Sequence, residues 1–191
     1  MTITSEIRSG IALGLSLFFW LLLEFFLGFH SKYIDYLPFI TWLFVVIPAV
    51  GINWALKAKR DRYYLGQIGI FQALKTGLII TLVMAIVSAL MQFLYVIIVN
   101  PMFYDTMTAH ARGFITGLDI AAEDKETMLA KSLKENTITY GMLKTFFTML
   151  IIGTLMSVFA SVLIKRNVRA DEIMREKVQG QSNEVGDVNN L

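Results

Sequence analysis

The 191-residue chain contains no cysteine. That excludes disulfides, thiolate metal sites and thiol catalysis, and leaves the compartment open on redox grounds. It has only two histidines, His30 and His110, and no G-x-S-x-G, H-E-x-x-H or GxxxxGKS/T pattern. Serine-hydrolase, zincin and P-loop chemistries are therefore not signalled. The histidines fall near Asp35 and Asp105, donor types that zinc accepts, but their spacing does not call for a metal and interfacial histidines account for them equally well. Charge is also scarce: 17% of residues are charged, the net charge is +2, and no basic stripe interleaved with aromatics offers a nucleic-acid footprint. The expectation is a protein that is not an enzyme, with no catalytic residues, no cofactor, no metal and no nucleic-acid partner.

Apolar residues dominate what is present, at 55% of the chain with a mean hydropathy of +0.59. They gather in residues 11–29, 37–56, 76–99 and 143–164. A bilayer core of about 30 Å takes roughly 20 helical residues to cross, and each stretch has that length. The predicted fold class is an all-α membrane protein with four transmembrane helices in a compact bundle. Residues 1–166 form that domain. Residues 101–142 form an external segment, read as two short helices that cap the bundle. Residues 167–191 form a tail, helical at first and disordered from about residue 180. Arg8 before an apolar run resembles a signal peptide, but the run is long for a signal core and no small-x-small site follows Phe29, so a retained helix is expected.

Basic residues set the expected orientation. Lys57, Lys59, Arg60 and Arg62 lie between the second and third stretches, and Lys165, Arg166, Arg169, Arg175 and Lys177 follow the fourth. The segment 101–142 has four basic residues against six acidic ones. The positive-inside rule then puts both termini in the cytoplasm and the long segment outside.

Small and polar residues inside the stretches suggest how the helices meet. Gly77, Thr81, Ala85 and Ala89 recur at helical spacing in the third, Gly153, Ser157 and Ser161 do so in the fourth, and Gly10 and Gly14 have GxxxG spacing in the first. Such stripes let backbones approach where lipid is as apolar as leucine, and packing within one bundle is favoured over a dimer face. Pro48, followed by Gly51, predicts a bend in the second stretch, because proline lacks a donor and clashes with the carbonyl of Phe44.

Glu24 is the main polar exception. An acid near the middle of a spanning helix costs about 2.5–3.5 kcal/mol on insertion scales, and its default partner is protein or water. Gln92 and Lys144 fall at a similar depth, and a contact from Glu24 to one of them is expected. A hydrogen-bonded packing role and a proton- or cation-coupling role both remain open for Glu24.

The run FQALKTGLIITL at 71–82, the run NPMFYD beginning at Asn100, and the span lengths resemble a bacterial family known as domain of unknown function 4199. The resemblance extends to Arg166. It implies a multi-pass protein of the bacterial inner membrane and assigns neither substrate nor catalytic residues. Two classes of function are expected. The first is a noncatalytic structural or accessory component whose partners are the lipid bilayer and a membrane protein or a second copy of the chain. The alternative is a small carrier or channel subunit that uses Glu24.

Overall fold

The computed structural model describes the backbone of residues 4–188 and the side chains of residues 4–164. Every element among them is helical: α1 Thr4–Phe26, α2 Leu37–Thr41, α3 Val46–Tyr63, α4 Ile70–Leu94, α5 Phe103–Gly117, α6 Ala122–Glu135 and α7 Ile138–Val188. Four segments are long and apolar enough to cross a membrane: Thr4–Phe26, Ile34–Tyr63, Ile70–Val99 and Ile138–Ile164. They begin or end beyond the apolar stretches because backbone hydrogen bonding continues through polar residues once a helix has nucleated. For the same reason α7 runs on to Val188, past the residue at which disorder was expected; residues 189–191 lie outside the described residues.

The first stretch differs from expectation in the opposite sense, since α1 stops at Phe26. Gly28 takes φ +82°, the amide of Phe29 donates to the carbonyl of Glu24 (3.0 Å), and that of Gly28 donates to Phe25 (3.0 Å). This pair of bonds is a Schellman motif, and glycine suits its left-handed position because it has no Cβ. Gly28 therefore belongs to the turn and not to the helix that carries Glu24.

Pro48 acts on the residues before it. A 3-10 turn at Trp42–Val45 separates α2 from α3, and Pro48 sits buried in the first turn of α3. The break falls at Phe44, whose carbonyl proline cannot bond, and the tighter turn removes the clash.

The small residues lie where helices touch. A Cβ on Gly10 would lie 2.6 Å from Val83 Cβ, and one on Gly14 2.5 Å from Val87 Cγ1, so both seat α1 against α4. Gly51 of α3 leaves space for Leu13 of α1. Between α4 and α7, a Cβ on Gly77 would meet Ser157 Cβ at 2.6 Å, and one on Gly153 would meet Thr81 Cγ2 at 2.5 Å. Ala85 is fully buried, and Thr81 shares a 3.2 Å hydrogen bond with Ser157. Leu13, Leu17, Ile52, Ile80, Met84 and Met149 belong to the apolar core between these contacts.

Residues 101–142 contain the two expected short helices, α5 and α6. Gly141, at the start of α7, leaves room for the Tyr104 ring of α5. The Tyr104 hydroxyl is buried and has no hydrogen-bond partner among the described residues. Burial pushes that phenol above its ordinary value, opposed in part by nearby Gln92, whose geometry falls short of a hydrogen bond.

Candidate functional site

Glu24 sits in the last turn of α1 and is 3% exposed. The negative end of the helix dipole disfavours a carboxylate there, so it needs donors. Trp20, one turn earlier, donates its indole N–H to Oε1 at 2.6 Å. The glycine turn folds the chain back so that His30, also 3% exposed, places Nε2 3.4 Å from Oε2.

The network continues from His30 to the far end of α4. His30 Nδ1 bonds the hydroxyl of Tyr95, which is fully buried. The Asn100 side-chain amide donates to the same hydroxyl at 3.1 Å. Tyr95 opens a π-helical turn, Tyr95–Val99, closed by a 2.9 Å bond from the Asn100 amide to the Tyr95 carbonyl. The wider turn brings Asn100 back over Tyr95, and π-turns often occur at functional sites. Phe103 packs edge-on against His30 at 5.1 Å and against Tyr95 at 5.6 Å between ring centroids.

One arrangement of protons fits the bonds present: Asn100 donates to the Tyr95 oxygen, Tyr95 O–H to His30 Nδ1, and Trp20 Nε1–H to one oxygen of the Glu24 carboxylate, while His30 Nε2 faces the other oxygen across 3.4 Å. In this arrangement His30 accepts at Nδ1 and carries its proton on Nε2.

Neither Gln92 nor Lys144 bonds Glu24, contrary to expectation. Both carboxylate oxygens are occupied by Trp20 and His30, and Lys144 is exposed. The three residues instead line one cavity of about 230 Å³, together with Ser88, Thr148 and Trp20. Ser88 Oγ is buried beside it without a hydrogen-bond partner. The cavity is mostly apolar with a few convergent polar groups, the usual character of a small-molecule site.

A second buried polar cluster, not anticipated, lies at the end of the helices where α1 begins. Lys59 of α3 forms an ion pair with Glu6 of α1 and donates to Thr76 Oγ1 of α4 at 3.2 Å. Both ionic side chains are 5% exposed. Ser5 donates to the other oxygen of Glu6 at 2.8 Å. Three helices are thus joined at one point.

Sequence reading missed His30, Tyr95, Trp20 and the Glu6–Lys59 pair for different reasons. Trp20 was detectable, since it stands four residues before Glu24 on the same helical face. Tyr95 and Asn100 depended on a π-turn that no residue pattern announces. Lys59 was read only as one of the basic residues that set orientation, and Glu6 carried no reading at all. His110 does approach Asp35, with Nε2 3.6 Å from Oδ1, at an exposed position. Among the described residues no group of three or more histidine, aspartate or glutamate side chains is placed to hold a metal.

The family model described as Protein of unknown function (DUF4199) matches residues 8–166. The chain belongs to that family. No curated protein and no solved structure matches it.

Proposed function

Starting from membership in a family of unknown function, we propose that this is a noncatalytic structural or accessory component of the bacterial inner membrane. Four spans form a compact bundle, both termini are cytoplasmic, and α5 and α6 lie on the outer side. The basic residues flanking α3 and α7 support that orientation. One observation carries the functional reading: the intramembrane acid is consumed by internal contacts, with Trp20 and His30 taking both of its oxygens. Between Glu24 and Lys59 the helices bury Leu13, Leu17, Ile52, Ile80 and Met84, an apolar layer interrupted by the buried hydroxyls of Thr81 and Ser157.

Native mass spectrometry of the protein released gently from its own membranes tests this reading. A recurring second polypeptide in fixed stoichiometry is the expected result. A bare monomer or homo-oligomer from every preparation counts against it.

The cavity shared by Glu24, Gln92 and Lys144 favours a second reading, a small carrier or channel subunit. Cavities that each hold a few polar groups, at opposite ends of the bundle, are also what a carrier closed at its centre presents. In that case proton- or ion-dependent flux into liposomes is lost in Glu24→Gln. Absence of flux from the parent protein removes this alternative.

A further inference from the structure

The end of the helices remote from Glu24 holds a cleft of about 420 Å³ between α1 and α3, closed underneath by Thr76 and Ile80 of α4. Arg8, Lys59 and Arg62 line it, with Glu6 as the carboxylate among them. The charges do not cancel. Lys59 is held by Glu6, whereas Arg8 and Arg62 have no ion-pair partner among the described residues. The cleft is therefore lined by two arginines without an ion-pair partner among the described residues, beside the buried Glu6–Lys59 pair. Planar guanidinium forks match phosphate oxygens in a bidentate manner, and Tyr63 and Ser9 add hydroxyl donors at the same place.

Its rim is amphipathic. Trp54, which lines the cleft, is 69% exposed, and Val46 and Val50 continue its exposed ridge along α3 at helical spacing. A ligand with a phosphate head and apolar chains would meet cations in the cleft and hydrocarbon along that ridge.

We propose that this cleft binds a phosphate group, and that its occupant is the phosphodiester of an anionic phospholipid. Free phosphate shares the recognition chemistry and is the other source. The lipid arm rests on the membrane placement proposed above, with this end of the bundle at the cytoplasmic headgroups.

The full chain in nanodiscs of equal phosphatidylglycerol and phosphatidylcholine, ejected into a native mass spectrometer, tests the lipid source. Retained phosphatidylglycerol should exceed phosphatidylcholine, and the preference should fall about fivefold for each arginine removed in Arg8→Gln and Arg8→Gln/Arg62→Gln. Arg112→Gln, remote from the cleft, should leave it unchanged. A second arm adds inorganic phosphate to delipidated protein and follows the thermal midpoint. A rise that the double variant abolishes, without any lipid preference, keeps the phosphate site and overturns the lipid source. The site itself is overturned if neither readout depends on Arg8 and Arg62, or if Arg112→Gln loses as much as the double variant. Lys59 stays intact throughout because its loss would unfold the cluster; an unchanged midpoint without ligand shows that each variant folds. Subunit stoichiometry is read in the same spectra, so failure here is distinguishable from failure of the accessory reading.

Discussion

Glu24→Gln should invert the direction of a whole hydrogen-bond chain while leaving the protein folded. In the parent protein the donors run from Asn100 through Tyr95 to His30, whose Nε2 faces the Glu24 carboxylate across 3.4 Å. Glutamine can offer its carbonyl oxygen to Trp20, but its amide then faces His30 with N–H groups. His30 can accept only by moving its proton to Nδ1. Nδ1–H then donates to Tyr95, and the Tyr95 hydroxyl turns to the side-chain oxygen of Asn100, whose amide flips. No group is orphaned, so the cost should stay below about 1 kcal/mol. Glu24→Ala has no such escape: it strands the Trp20 donor and removes the carboxylate that His30 Nε2 faces. At about 0.6–1.7 kcal/mol for a hydrogen bond in a membrane protein, the loss is about 2 kcal/mol, or roughly thirtyfold in the folded ratio. Nitrogen-15 solid-state NMR of labelled histidine reads the tautomer, with His110→Gln removing the second signal. Unfolding in mixed micelles reads the stability. An Nδ1–H tautomer in the parent, or an unchanged tautomer in a stable Glu24→Gln variant, would refute the assigned proton order.

Other perturbations separate the remaining contacts. Lys59→Ala leaves the Glu6 carboxylate buried without its cation and should cost about 3–5 kcal/mol, whereas Glu6→Gln/Lys59→Met should recover much of that loss in the same unfolding assay. Gly153→Ala places a methyl 2.5 Å from Thr81 Cγ2 and should destabilise the α4–α7 contact by about 1–3 kcal/mol, with Thr81→Ser giving partial rescue. Tyr104 predicts a pH effect. Its folded value is raised, so its contribution is fully present below the ordinary phenol value of 10.0 and is lost as pH rises from there through the folded value. Tyr104→Phe should flatten that alkaline loss and cost little at neutral pH, because the hydroxyl has no partner to lose. A steeper alkaline loss in the phenylalanine variant would contradict this account.

The long apolar helices were legible because bilayer length and composition are local properties of the chain, and the small-residue stripes at Gly10, Gly77 and Gly153 fall where helices touch. The acid at Glu24 was legible as an exception for the same reason: its cost follows from its neighbours in sequence. Its partner was not. Reading residues by depth alone offered Gln92 and Lys144, which do share a cavity with it. The choice of His30 depended instead on a backbone event, the left-handed turn at Gly28, which reverses the chain within a few residues. Tyr95 likewise entered through a π-turn. In both places a single departure from regular helix decided which side chains meet, and hydrophobic periodicity is blind to such departures.

The two polar clusters also divide the labour of holding the helices. Glu6, Lys59 and Thr76 tie α1, α3 and α4 at one end, and Glu24, His30 and Tyr95 tie the α1 turn to the end of α4 at the other. Such bonds are directional, and sliding one helix along another breaks them. The described side chains of α7 have one hydrogen bond to another helix, Thr81 with Ser157, and otherwise rely on close packing at Gly77 and Gly153. Close packing resists approach more than it resists sliding. Helix α7 is therefore held mainly by packing, most extensively against α4, and it meets α5 where the Tyr104 ring fills the space at Gly141.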